Sequence, residues 1–148
     1  MNPERYRLAL VREPADPPFG SQIDAPADIA AIACGLLGLE PQEVVLAFHL
    51  DRKHRVRGYQ EVARGGLHEA PVDLRVVFGA VLVAGTPAFV LVHNHPSGDP
   101  TPSVDDHALS RRLTRAAELL GVEFVDHLVV AAHRWTSMLG GTTGEARR

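Results

Sequence analysis

Two short clusters in this sequence carry side chains able to bind a metal: His93-Asn94-His95 and, after seven intervening residues, Ser103-Val104-Asp105-Asp106. Residues two apart in an extended chain project to the same side, so the imidazoles of His93 and His95 can be presented to one point in space. A carboxylate brought back from Asp106 makes a third ligand. Two histidines, one carboxylate and a water in the fourth position are the stoichiometry of a hydrolytic zinc site. Each fragment also has a plainer reading. A histidine near a strand end is commonly hydrogen-bonded structure, and Ser103-x-x-Asp106 is an ordinary helix start, with Ser103 as cap and Asp106 near the positive helix end.

The elements that must position these residues can be read outward from them. Residues 88–92 form a short, wholly apolar run, as expected of a strand covered on both faces, and the polar segment 93–102 begins where it stops. Loops at the carboxyl ends of buried strands are where open sheets hold ligands. Pro96, Pro100 and Pro102 stiffen the loop that follows, and Ser103 opens a helix with Leu109, Leu113, Ala116, Ala117 and Leu120 on one side and Gly121 as its stop. Upstream, Asp24-Ala25-Pro26 starts a helix that Gly38 ends. Residues 44–50 read as a strand, Arg52 to Arg57 as a charged turn, and Gly58 to Ala63 as the returning strand of a hairpin. Apolar spacing over 72–84, ended by Gly85, predicts a helix facing a sheet, and 122–131 and 135–138 read as two more strands. Helices alternating with strands predict an α/β fold, a mixed sheet with helices packed against it. The proline-bearing residues 1–24 are expected as an extended lead-in, 25–139 as one domain, and the glycine-rich 140–148 as a frayed tail.

At 148 residues the chain is long enough to bury a core without disulfide staples, and 45% apolar with 22% charged residues excludes disorder, collagen and coiled coil. Cys34 has no partner and lies in an apolar helical run, which predicts an inert buried thiol and a reducing compartment. No apolar stretch is of membrane-spanning length and no signal-type core follows Met1, so a cytoplasmic protein without a membrane partner is expected. The net charge of −3 speaks against a protein whose main partner is nucleic acid. Arg52, Lys53, Arg55 and Arg57 read as a solvated hairpin tip, and Arg111, Arg112 and Arg115 as a solvated helix face. Of the remaining histidines, His107 points away on its helix, His127 beside Asp126 reads as structural or as support for a ligand, and His49, His54, His68 and His133 lack ligand spacing. His68-Glu69 does not begin a thermolysin-type motif, because Val72 stands where the second histidine is required. A zinc deaminase site needs a cysteine pair, which a single cysteine rules out.

His-x-His, seven residues, Ser, two residues, Asp resembles the JAMM (MPN/JAB) metalloprotease motif, and the text from His93 to Ser103 is similar to the bacterial RadC family in particular. The resemblance runs over roughly residues 26 to 139 and includes residues 43–51, Arg64-Gly65, residues 75–78, Leu119-Leu120-Gly121 and Asp126-His127-Leu128. The sequence departs from the family at Gly66 and Val76, where threonine and glutamate are more usual, and a short proline-rich segment stands where a helix-hairpin-helix region is common.

The resemblance implies a JAB/MPN, cytidine-deaminase-like sandwich of a mixed sheet and flanking helices. It implies Zn²⁺ on His93, His95 and Asp106, and a peptide or protein substrate. It also implies a glutamate at the start of the strand after the first helix as general base, a place Glu43 occupies. Ser103 takes the role of steadying the oxyanion of an amide under attack. Three other readings compete: a DNA-associated repair factor or nuclease, an iron oxygenase using the two histidines and the carboxylate, and a binding module without turnover.

Overall fold

The computed structural model describes residues 3–13, 20–65 and 72–146. Its elements follow in the order α1 (Pro26–Leu37), β1 (Val44–Leu50), β2 (Val56–Arg64), α2 (Leu74–Ala84), β3 (Ala88–Asn94), α3 (Val104–Leu120), β4 (Glu123–Ala131), β5 (Arg134–Ser137) and β6 (Thr142–Glu145). Every residue of β1 and β3 is buried, which is why these two strands read as nearly continuous apolar runs, broken only by His49 and by His93-Asn94 at the end of β3. They lie side by side within a six-stranded sheet of order β2-β1-β3-β4-β5-β6.

All neighbouring strands are antiparallel except β3 and β4, which are parallel. A parallel pair needs a crossover, and α3 supplies it. The loop between β3 and α3 therefore leaves the sheet at the carboxyl end of its buried strand, carrying His95 to Ser103.

Alternation along the buried strands splits the core in two. Val44, Leu46, Phe48, Leu50, Val90 and Val92 pack on one face with Ile29, Ala30, Ala33 and Leu37 of α1. Val45, Ala47, Phe89 and Leu91 pack on the other with Val77, Phe78 and Val81 of α2 and Leu109, Leu113 and Ala117 of α3. The result is the mixed α/β sheet flanked by helices that the sequence predicts, consistent with a JAB/MPN fold.

Several boundaries differ from expectation for identifiable reasons. The strand expected over 88–92 continues through His93 to Asn94, because both pair with β4, opposite Val129 and Val130. β2 is longer than 58–63 at both ends, its start held as Val56 donates to Ser21 and accepts from Gly20. Those bonds draw the end of the expected lead-in onto the domain, where Ile23 is buried against the α1 face. Residues 3–13 are exposed, and Pro14, Pro17 and Pro18 lie outside the described residues, as do Gly66, His68 and Glu69. Cys34 is half-buried rather than fully so; burial raises its thiol pKa and keeps it protonated, the inert state expected. No helix among the described residues is long and apolar enough to cross a membrane.

Within the tail expected to fray over 140–148, Thr142–Glu145 form β6, which pairs with β5 from Ser137 opposite Thr142 to Arg134 opposite Glu145, while 147–148 lie outside the described residues. Gly141, at φ +67°, makes the turn, and Gly144 lets the backbone pass under the Trp135 ring, where an added Cβ would stand 2.5 Å from the indole. Gly144→Ala is therefore expected to destabilise the fold by about 1–3 kcal/mol through overpacking. Thermal denaturation measures the loss. Trp135 is the single tryptophan, so a red-shifted emission in the folded variant reports its displacement, and unchanged emission with unchanged melting would refute this packing.

Candidate metal centre

His93 and His95 point to the α3 side of the sheet, in phase with Phe89 and Leu91. Their Nε2 atoms are 3.1 Å apart. Asp106, in the first turn of α3, completes the triangle: Oδ1 lies 3.1 Å from His93 Nε2 and Oδ2 lies 3.2 Å from His95 Nε2. The three residues form a group that could hold a metal ion. The dimensions suit one, since the edge of a tetrahedron with bonds of ~2.0–2.1 Å is about 3.3–3.4 Å.

The plainer reading of Ser103-x-x-Asp106 also holds, in the same atoms. Ser103 Oγ accepts from the Asp106 N–H at 3.1 Å, and Asp106 Oδ2 accepts from the Ser103 N–H at 2.7 Å, a reciprocal cap on α3. The cap holds the Asp106 carboxylate with its oxygens within 3.1 and 3.2 Å of the two imidazoles. What reads in sequence as a choice between cap and ligand is one arrangement that can serve both.

Each imidazole is oriented from behind. His95 Nδ1 donates to the Asp99 carbonyl at 2.9 Å, so its Nε2 lone pair is the one turned to the centre. Arg134 donates to the Gly98 carbonyl and ties that loop to β5. His93 Nδ1 lies 2.9 Å from His127 Nε2, and His127 Nδ1 lies 2.5 Å from Ser110 Oγ. His127, expected as structural or as support for a ligand, is in direct contact with the His93 ring. Ser110 was not singled out from the sequence. A signal existed, because Asp106, Ser110, Leu113 and Ala117 recur at the spacing of one helical face.

Glu43 stands immediately before β1. Val45 pairs with His93 in the antiparallel ladder of β1 and β3, and the same register carried outward brings Glu43 opposite His95, on the same face as both histidines. Glu43 is half-buried there, and its charge favours the imidazolium of His95. Asn94 projects to the opposite face and fastens this segment: its Oδ1 accepts from Val44 N–H at 2.7 Å, and its Nδ2 donates to the carbonyls of Gln42 at 2.9 Å and Glu40 at 3.3 Å. Sequence reading passed over Asn94, since nothing local indicates a partner fifty residues away.

Exposure decides the direction of approach. The His93 and Asp106 side chains are 0% and 1% exposed, but His95 is 16% exposed. A cleft of about 270 Å³ opens beside it, lined by residues 37–41, Asn94, His95, Pro96, Gly98 and Ala132.

A model of the RadC-like JAB domain matches residues 23–143. The chain belongs to this family. Among similar RadC-family proteins, the UPF0758 protein of Clostridium perfringens is 35% identical over 117 residues, covering 79% of this chain and 52% of that protein. The UPF0758 protein of Chloroflexus aurantiacus is 38% identical over 116 residues, covering 78% and 51%, and that of Roseiflexus is 38% identical over 116 residues, covering 78% and 50%. The chain thus spans about half the length of the curated relatives it matches.

The electrostatics of this RadC-like centre predict its pH response. Burial opposes ionisation of Asp106, but the bonds from His93, His95 and Ser103 outweigh it and hold the carboxyl far below the ordinary carboxylate range. The bond to Asp106 raises the pKa of His95 above 6.5, against the opposing effect of burial. Asp106 thus stays ionised across the neutral range, whereas His95 must lose a proton to ligate. Metal affinity is expected to fall as pH drops, beginning above 6.5. Chelator competition at pH 8, 7 and 6 tests this, and an affinity that is flat across that range would contradict it.

Proposed function

We propose that this protein is a zinc-dependent hydrolase of the JAMM type, cleaving a peptide or isopeptide bond. What supports the reading is Glu43: it stands immediately before β1, whose ladder with β3 continued by two residues would set it opposite His95, and its charge acts on the His95 imidazole. A structural metal site needs no carboxylate beside its exposed edge, whereas hydrolysis needs a proton acceptor there.

Bound zinc would supply a Lewis acid that lowers the pKa of a coordinated water to about 7. His93, His95 and Asp106 would hold the ion, and two neutral imidazoles with one carboxylate would leave it net positive. Glu43 accepts the proton of the attacking water and delivers it to the leaving amine. The Ser103 Oγ accepts from Asp106 N–H, so its own hydrogen remains free to donate to the amide oxygen as charge develops there. Substrate would approach from the His95 side, the exposed edge of the three-residue group.

The test separates metal binding from turnover. Zinc content measured on purified protein should be stoichiometric in the wild type and in Glu43→Gln, and lost in His95→Ala. On a panel of quenched peptides and lysine isopeptides, Glu43→Gln should cost about 10²–10⁴-fold in kcat. A zinc-loaded wild type inactive on the whole panel, or a Glu43→Gln variant of full activity, overturns the hydrolase reading.

A further inference from the structure

His127 is fully buried and touches no solvent from which it could draw a proton partner. Its main chain is fastened on both sides. The His127 N–H donates to Asp126 Oδ1 at 2.7 Å, and its carbonyl accepts from Met138 N–H at 2.9 Å. Asp126 is held in turn by Ser137 Oγ at 2.6 Å and Leu139 N–H at 3.1 Å. The ring sits between two partners, His93 Nδ1 and Ser110 Oγ. Ser110 Oγ reaches one further acceptor, Met138 Sδ at 3.8 Å.

A neutral imidazole has one donor and one acceptor nitrogen, and these contacts leave a single consistent direction when His93 ligates. A nitrogen facing an ion carries no proton, so His93 has its hydrogen on Nδ1 and donates to His127. His127 Nε2 must then be bare, its own hydrogen sits on Nδ1 and goes to Ser110 Oγ, and the Ser110 hydroxyl turns to the Met138 thioether. We propose that His127 and Ser110 are positioning residues of the metal centre, fixing through this directed line of hydrogen bonds which nitrogen of His93 faces the ion. The proposal rests on the metal-centre reading. Ligating histidines commonly lean on a carboxylate, a carbonyl or water. A buried imidazole that accepts from His93 on one nitrogen and donates to Ser110 from the other orients His93 without adding negative charge behind it.

The tautomers are directly observable. In the ¹⁵N-labelled full chain loaded with zinc, two-bond proton–nitrogen correlations should show both His93 and His127 protonated on Nδ1. In chelator competition, His127→Phe, which removes the acceptor, should bind zinc about 10–100-fold more weakly. His127→Gln keeps an acceptor and a donor and should recover most of that loss, and Ser110→Ala should show a smaller loss. If His127→Phe fails to fold, the tautomers of the wild type and the other two variants carry the test. A zinc-loaded wild type with the His127 proton on Nε2, or foldable His127 variants that bind zinc as the wild type does, overturns the proposal alone. A wild type that takes up no zinc overturns the metal-centre reading and this proposal with it.

Discussion

The centre depends first on the antiparallel register of β1 against β3. Val45 faces His93 in that ladder, so the next residue of the same phase on each strand brings Glu43 across from His95. A slip of one residue would turn Glu43 to the α1 face and carry every side chain of β1 into the wrong core. The two cores resist such a slip because they are not interchangeable. Phe48 and Leu50 fill space beside α1, whereas the smaller Val45 and Ala47 sit under α2 and α3. Asn94 adds a polar lock at the strand ends, with three hydrogen bonds between the residue that separates the two histidines and the segment that carries Glu43.

The second constraint is the single parallel pairing in the sheet. Because β3 and β4 run the same way, α3 must cross over between them, and its first turn arrives at the carboxyl end of β3 with its backbone N–H groups unpaired. Asp106 satisfies one of those groups through Ser103 N–H and meets the imidazoles with its remaining lone pairs. Burying a carboxylate is costly unless it is paired. Here the helix end and the two histidines provide the pairing, which explains how a carboxylate that is almost wholly buried stays ionised. The same crossover helix brings Ser110 one turn further on, against His127 of β4. One element thus contributes to both the inner ligands and their support.

Local sequence determined the parts of this protein that depend on near neighbours. The apolar runs of β1 and β3, the Gly85 and Gly121 helix ends and the Ser103 cap follow from spacing and backbone preference over a few residues. So does the pairing of His93 with His95, since alternation in a strand suffices to aim both at one place. The tertiary structure decided what meets them. His127 meets His93, and Asn94 fastens the segment before β1, through strand register and packing, and these relate residues whose separation in the chain leaves no periodic trace. Glu43 was legible only by resemblance, Ser110 only as one position on the Asp106 face of α3, and Asn94 not at all. β6 was hidden for a similar reason. A glycine-rich end reads as loose until Trp135 is seen to need the space that Gly144 leaves empty.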